Sequence, residues 1–124
     1  MEKQELIDFC LSLGPTYVDY PFKKNDGSTD TTVVRHLKNK KIFALISERP
    51  KDKKDPLKEE VDLIIALKQK PELSEELREN FKAIEPAWHV NKTHWNDVYI
   101  NSDMEDESIQ KLISQSYELI RPKK

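Results

Sequence analysis

Residues suited to chemistry are concentrated in one short segment of the chain, residues 88–97. His89 and His94 lie five positions apart, and the carboxylate of Asp97 follows closely. A histidine–carboxylate cluster can bind zinc or hold a general base. The spacing matches no defined zinc motif, and on a strand or loop it places the two rings on opposite faces. We therefore predict no metal or cofactor, and we interpret these histidines as structural donors to backbone carbonyls.

The same segment combines aromatic, amide and cationic side chains in a way that suits nucleic acid. Aromatic faces stack on bases, lysine neutralises phosphate, and asparagine or histidine can hydrogen-bond base edges. A second interpretation stays open, in which the tryptophans anchor the core and the polar residues tie down the loop. The residues concerned are Trp88, His89, Asn91, Lys92, His94 and Trp95.

Catalytic and phosphate-cradling motifs are missing from the sequence. A phosphate loop needs several glycines, and the chain contains only Gly14 and Gly27. No serine occupies a Gly-x-Ser-x-Gly elbow. Cys10 falls on the apolar stripe of a predicted helix, whereas a nucleophilic cysteine needs an exposed, electropositive site. We predict no catalytic residue and no enzymatic activity, and we expect Cys10 to be a core residue.

The charge distribution is uneven along the chain. The formal net charge is −2, but residues 35–58 hold nine basic and three acidic residues, a local excess of +6 that leaves −8 elsewhere. Such asymmetry can create a positive face on an acidic body. The alternative is a solvated hairpin and loop without a binding role.

Length and composition indicate one domain spanning residues 1–124. A single cysteine allows no internal disulfide, which suits a reducing compartment. The charged start of the sequence does not resemble a secretory signal, and no apolar run approaches the ~20 residues of a membrane span. We therefore expect a cytoplasmic protein without a membrane partner.

Hydrophobic periodicity predicts three helices and four strands. Residues 3–13 form a helix that ends at Gly14-Pro15, where the glycine is expected to take a left-handed cap. Residues 17–30 form a connection, and the tight turn Asn39-Lys40 joins strands 31–37 and 41–47 into a hairpin with a basic tip. A charged loop follows over residues 48–60. Strand 61–67 then alternates, with Val61, Leu63, Ile65 and Leu67 on one face.

The second half of the chain predicts a helix, a strand and a final helix. Pro71 opens a helix with a buried face of Leu73, Leu77 and Phe81. A loop precedes the strand 95–100, and the last helix covers residues 105–120 with Ser102 or Asp103 as its cap. The short hairpin makes at least one strand pair antiparallel. The predicted fold is therefore α+β, an antiparallel sheet with three main helices packed on it.

Residues 86–98 also resemble a signature of the YjbR/MmcQ-like family of small bacterial proteins. The family pattern is close to Pro-Gly-x-His-Met-Asn-Lys-x-His-Trp-x-x-Val, and this chain differs from it at Ala87 and Val90. The resemblance covers about residues 6–120. Its further marks occur in order along the chain: Tyr20-Pro21-Phe22, Lys41-Ile42-Phe43-Ala44, Leu67-Lys68 with Pro71-Glu72, Leu77-Arg78, and Ser116-Tyr117.

The resemblance implies a CyaY-like α+β fold with a hairpin-bearing sheet described as a double-wing DNA-binding motif. This is a warrant at the level of the fold, and a fold alone does not establish function. We expect a DNA-binding, non-enzymatic regulatory module, monomeric and without a cofactor. The alternative is a protein-interaction or small-ligand-binding module. The residues expected to contact nucleic acid are Arg35, Lys38, Lys40, Lys41, Asn91, Lys92, His94 and Trp95.

Overall fold

The computed structural model describes residues 1–21, 31–50, 61–87 and 94–122. Six strands form one sheet in the order β1-β2-β3-β4-β6-β5, and every neighbouring pair is antiparallel. The predicted α+β class is confirmed. The elements in chain order are α1 Lys3–Ser12, β1 Thr16–Asp19, β2 Thr31–His36, β3 Ile42–Pro50, β4 Val61–Lys68, α2 Pro71–Asn80, β5 Ile84–Pro86, β6 Trp95–Tyr99 and α3 Asp106–Leu119.

The helices cover one face of the sheet and form the core there. Ile46, Ile65 and Val98 are cross-strand partners in β3, β4 and β6, so their side chains share a face. They belong to a buried cluster with Leu6 of α1 and Ile113 of α3. Packing against these two helices removes the apolar face of the central strands from water, which is the main stabilising contribution to such a layer.

The remaining helix, α2, reaches the same face of the sheet through a polar contact. Arg78 of α2 donates a hydrogen bond from Nε to Oδ1 of Asn96 over 2.6 Å. Asn96 lies two residues from Val98 on β6, so both point to the helix-covered side. The amide of Asn96 donates in turn to Oε1 of Gln69 over 3.0 Å. This buried relay joins α2 to the segment between β4 and α2.

Two short edge strands occur where the sequence predicted only connections. β1 has four residues, all half-buried, and β5 has three. Segments this short carry little periodic signal, and their pairing with β2 and β6 is decided by tertiary neighbours. The predicted hairpin is present as β2 and β3, with a bulge between Val34 and Arg35 and a positive φ of 61° at Lys40.

The two central strands differ from their predicted bounds and pattern. β3 continues into the predicted loop as far as Pro50, because β4 pairs with it along that length. The predicted strand is present as β4, but its burial does not alternate from one face to the other. Val61 is 42% exposed, whereas the consecutive residues Ile64 to Leu67 are all buried. Ile64 and Ala66 point to the opposite face from Ile65 and Leu67, so both faces of β4 are buried along this stretch.

The ends of two helices also differ from the prediction. Leu13 closes α1 in the right-handed region at φ −72°, so no left-handed glycine cap is formed. Gly14 is required instead by close approach, since a Cβ at this position would overlap the hydroxyl of Tyr117. At α3 the N-cap is Glu105, without a side-chain hydrogen bond, rather than Ser102 or Asp103.

Asp103 has a different role from the predicted cap. Its carboxylate accepts hydrogen bonds from the backbone N–H groups of Lys82 and Ala83, both over 2.8 Å. These donors favour the charged form and hold the pKa of Asp103 below its usual value. The residue thus fixes the turn between α2 and β5, at the end of the sheet where β6 finishes.

Candidate nucleic-acid interface

Alternating strand directions bring several predicted site residues to one end of the sheet. The β2–β3 turn (residues 37–41), the end of β4 at Lys68 and the start of β6 at Trp95 all lie there. Lys68 and Trp95 are direct cross-strand partners. We call this the hairpin end. Because neighbouring strands are about 4.8 Å apart, β6 starts roughly 10 Å from β3, across β4.

The turn holds its lysines outward on a fixed backbone. The N–H of Lys40 donates to the carbonyl of His36 over 2.9 Å, and the N–H of His36 donates to that of Lys41 over 3.0 Å. Asn39 braces the turn from within, accepting from the Lys41 N–H at Oδ1 and donating from Nδ2 to the carbonyl of Ile120, each over 3.0 Å. Lys38, Lys40 and Lys41 remain exposed.

Arg35 supports this turn but its charge is already paired. Its Nε contacts Oδ2 of Asp19 at 3.0 Å, and its Nη1 donates to the carbonyl of Lys40 over 2.8 Å. The side chain is 22% exposed. It is therefore placed to position the turn, and its charge is largely offset by Asp19.

His94 and Trp95 stand half-buried at the start of β6. Their carbonyls serve the fold, since that of His94 accepts from the Gln69 N–H over 2.7 Å and that of Trp95 from the Ala87 N–H over 3.1 Å. Their side chains keep part of their surface accessible at the hairpin end. The other residues of the predicted segment, among them His89, Asn91 and Lys92, lie outside the described residues.

The hairpin end gathers further cations that the sequence analysis did not select. Lys68 closes β4, Lys70 precedes α2 and is exposed, and Arg121 follows α3. The carbonyl beside Arg121, that of Ile120, is the one bound by Asn39 of the turn. The order of the strands could have indicated Lys68 and Lys70. In an antiparallel sheet the residues that end β4 lie beside those that start β3 and β6.

Ser116 of α3 joins the strands of the hairpin end to the helix layer. Its Oγ donates to the carbonyl of Phe43 over 2.6 Å and accepts from the N–H of Lys68 over 3.0 Å. The residue is fully buried. One hydroxyl therefore satisfies two backbone groups on adjacent strands and fixes the direction of α3 toward the turn.

A second arginine among residues 35–58, Arg49, is also paired with a carboxylate. Its partner is Asp97, which was considered above as a partner for the histidines. Nη1 of Arg49 lies 2.9 Å from Oδ2 of Asp97, whose side chain is only 3% exposed. Asp97 is thus committed to an ion pair between β3 and β6 rather than to a histidine. Among the described residues, no three histidine, cysteine, aspartate or glutamate side chains form a group that could hold a metal ion.

The single cysteine of the sequence, Cys10, lies in the core. Cys10 is fully buried, and burial raises the pKa of its thiol to about 12, which makes the reactive thiolate rare at neutral pH. The prediction that it is a core residue is confirmed.

None of the helices in the described residues is long and apolar enough to cross a membrane.

Comparison with known proteins identifies a family. The model of the YjbR family matches residues 11–119. The uncharacterized protein YyaQ of Bacillus subtilis (strain 168) is 34% identical over 107 residues, covering 86% of each chain. The uncharacterized protein YjbR of Escherichia coli (strain K12) is 39% identical over 54 residues. That match covers 44% of this chain and 46% of that protein, so the matched stretch spans less than half of its length.

Solved structures show the same arrangement of elements. A crystal structure of a Pseudomonas syringae protein superposes with a TM-score of 0.82 at 35% identity, covering 98% of this chain and all of the other. A Deinococcus radiodurans protein with a DUF419 domain superposes at 0.74 and 28% identity, covering 97% of this chain and 78% of the other. Since the family model spans nearly the whole sequence and these structures share its fold, the chain belongs to the YjbR family.

Proposed function

We propose that this protein is a non-enzymatic, cytoplasmic DNA-binding module that contacts nucleic acid through the hairpin end of its sheet. The single observation that carries the proposal is the hydrogen-bonded turn, which exposes Lys38, Lys40 and Lys41 at the same end of the sheet as Trp95. Lysines on a fixed backbone contact phosphates, and a partly accessible tryptophan nearby offers a surface on which a base can stack.

The charge layout of the chain supports this contact. The protein is acidic overall, with a net charge of −2, so a polyanion is attracted only where cations are locally in excess. The hairpin end supplies Lys38, Lys40, Lys41, Lys68, Lys70 and Arg121, drawn from the turn, β4, the start of α2 and the end of α3. Arg121 is paired with Glu118 at 3.4 Å, so the five lysines carry most of the local excess. Arg35 positions the turn rather than contacting phosphate. Asn91 and Lys92 belong to the proposal on the strength of their sequence position beside His94.

A charge-matched comparison tests the proposal. Lys40→Ala with Lys41→Ala removes two cations from the turn, whereas Lys82→Ala with Lys111→Ala removes two exposed cations away from the hairpin end. Each phosphate contact contributes about 0.9 to the slope of log affinity against log salt. We expect the turn variant to lower the magnitude of that slope by about two and to weaken binding to all sequences alike.

The measurement is fluorescence anisotropy with generic duplex and single-stranded DNA between about 20 and 200 mM salt. The Lys82 and Lys111 variant is the control, and its slope should equal that of the unmodified protein. Equal losses in the two variants would show that only net charge matters. Absence of binding at micromolar protein and low salt would refute the proposal altogether.

A second candidate function is a small-ligand or protein-interaction module. It is favoured by a cavity of about 520 Å³ between α2 and α3, whose walls include Leu73 and Leu119, the latter 40% exposed. This volume lies within the range of small-molecule sites. Leu119→Lys would place a charge in this wall, so it should abolish ligand binding there while leaving the affinity for DNA unchanged or slightly higher.

A further inference from the structure

A small basic niche lies between the β2–β3 turn and the end of α3. Its volume is about 160 Å³, room for roughly five water molecules, each of which occupies about 30 Å³ in the liquid. A tetrahedral phosphate group therefore fits within it. The niche is lined by Pro15, His36, Lys38, Tyr117, Arg121 and Pro122.

Two basic residues line this niche from different parts of the chain. Lys38 comes from the turn, and Arg121 comes from the residues that follow α3. None of the described residues that line the niche is acidic, but Glu118 pairs with Arg121 beside it. Arginine can bind two phosphate oxygens at once through its planar fork, while lysine adds a compact point charge. Together they match the charge of −1.5 to −2 on a terminal phosphate at neutral pH.

The end of a helix normally disfavours an anion, because its last carbonyls carry partial negative charge. Here two of these carbonyls are already occupied. Nε2 of His36 donates to that of Tyr117 over 2.9 Å, and Nδ2 of Asn39 donates to that of Ile120 over 3.0 Å. Both donors come from β2 and its turn, so the hydrogen bonds that dock the turn onto α3 also cover the acceptors nearest the niche.

We propose that this niche binds a terminal phosphate monoester, namely the 5′-phosphate of a nucleic-acid strand. The inference rests on the proposed function and deepens it. Pro15, Tyr117 and Pro122 wall the concave space, which favours a group attached to its chain through one oxygen only. An internal phosphate of a nucleic acid is bonded to a nucleotide on each side, so it is suited instead to the open surface of Lys40 and Lys41.

Glu118 provides a test that a loss of folding cannot imitate. Its carboxylate lies 3.4 Å from Nη1 of Arg121, and both side chains are more than half exposed. This carboxylate competes with phosphate for the guanidinium. Glu118→Gln removes the competing charge, so we expect it to raise the affinity for a 5′-phosphorylated strand two- to threefold, whereas damage to the fold would lower it.

The experiment compares two short single strands that differ only in a 5′-phosphate or a 5′-hydroxyl, measured by anisotropy. We expect a preference of about tenfold for the phosphorylated strand. Lys38→Gln and Arg121→Gln should each reduce this preference toward one. Lys40→Ala with Lys41→Ala should weaken both strands equally, and inorganic phosphate should compete only with the phosphate-dependent part.

The outcomes separate this inference from the proposed function. If both strands bind equally and the Lys40 and Lys41 variant still weakens them, the niche assignment is wrong and DNA binding stands. If neither strand binds, DNA binding fails, and the niche is judged by NMR with inorganic phosphate alone. Shifts of the Lys38 and Arg121 amides that Lys38→Gln abolishes would support a free phosphate as occupant, and their absence at millimolar phosphate would overturn the niche as well.

Discussion

At the scale of single residues, the junction between Gly14 and Tyr117 shows how one missing methyl group lets α3 approach the start of β1. A Cβ at position 14 would overlap Oη of Tyr117, and the ring carbon Cζ would be 3.2 Å away. Backbone and a buried ring meet here, so neither side yields easily. Overpacking of this kind costs about 1–3 kcal/mol, which exceeds the 0.4–1 kcal/mol that an alanine gains by restricting the unfolded chain.

We therefore predict that Gly14→Ala lowers the free energy of unfolding by about 1–3 kcal/mol, as measured by urea denaturation. Adding Tyr117→Phe removes the overlapping oxygen and should recover more than half of the loss. A double variant no more stable than Gly14→Ala alone would contradict the overlap with the Tyr117 hydroxyl as the cause of the loss.

His36 is a second residue whose environment has a measurable consequence. It is 1% exposed, its Nε2 is bonded to the Tyr117 carbonyl, and its ring lies 4.4 Å from that of Tyr117 and 5.1 Å from that of Phe43. Burial lowers its pKa and the positive charge of Arg121 acts in the same direction, while the Tyr117 carbonyl and Glu118 oppose them less strongly. The neutral imidazole is thus favoured in the folded protein.

This shift predicts a loss of stability in mild acid. The unfolded chain protonates His36 near its usual pKa of about 6.5, before the folded protein does. Neutral His36 makes its full contribution to the free energy of unfolding above that pH. This contribution is lost as the pH falls toward the lower pKa of His36 in the folded state. Urea unfolding between pH 8 and 5 should show a steeper decline than in His36→Gln, which keeps a donor but does not titrate. Parallel declines would contradict the prediction.

At the scale of elements, Ser116 holds three of them together. If Ser116→Ala is introduced, the N–H of Lys68 and the carbonyl of Phe43 lose their shared buried partner. An unsatisfied buried backbone group costs about 1–3 kcal/mol, so we expect a loss of that size in the free energy of unfolding. Faster amide exchange at Lys68 should accompany it, because the ends of β3 and β4 are freed from α3.

Ser114→Ala on the same helix is the control for this substitution. Ser114 is half-buried in the wall of the α2–α3 cavity, and a change there should stay within about 0.5 kcal/mol. Because alanine has a higher helix propensity than serine, propensity alone would stabilise both variants. Equal losses in the two variants would therefore show that the bridge from Ser116 to Lys68 and Phe43 is not the cause.

Elements with a long periodic pattern were predictable, and short ones were not. α1, α2, α3 and the β2–β3 hairpin follow from apolar spacing and turn residues, and their bounds agree to within a few residues. β1 and β5 depend on strands that are distant in sequence, so no local pattern identifies them. The role of Asp103 was missed for the same reason, since its partners at Lys82 and Ala83 are about twenty residues away.

The candidate site was predictable only in part, because charge alone does not reveal pairing. The sequence indicated a basic hairpin, and the structure exposes Lys38, Lys40 and Lys41 there. The sequence could not indicate that the charges of Arg35 and Arg49 are balanced by Asp19 and Asp97. Each of these ion pairs joins two strands that are distant in sequence. Arg121 was overlooked because it reaches the turn only through the packing of α3.

At the scale of the whole molecule, α3 connects two ends of opposite character. It begins beside Glu105 and Glu107 and finishes at the hairpin end, where Asn39 binds the carbonyl of Ile120. Fourteen helical residues span about 21 Å at 1.5 Å each. The Debye length is about 8 Å at physiological salt and about 30 Å at 0.01 M. The acidic end therefore influences the basic end only when the salt concentration is low.

This separation predicts two different salt regimes for two kinds of variant. Glu105→Gln with Glu107→Gln should raise the affinity for DNA a few-fold near 0.01 M salt and leave it unchanged near 0.15 M, because screening removes the distant repulsion. Glu118→Gln, adjacent to Arg121, should retain its effect on 5′-phosphorylated strands at 0.15 M, since contacts of a few ångströms lie within the Debye length. Anisotropy titrations at both salt concentrations provide the measurement, with circular dichroism to verify the fold. A distant pair that still mattered at 0.15 M would place the DNA elsewhere on the molecule than the hairpin end.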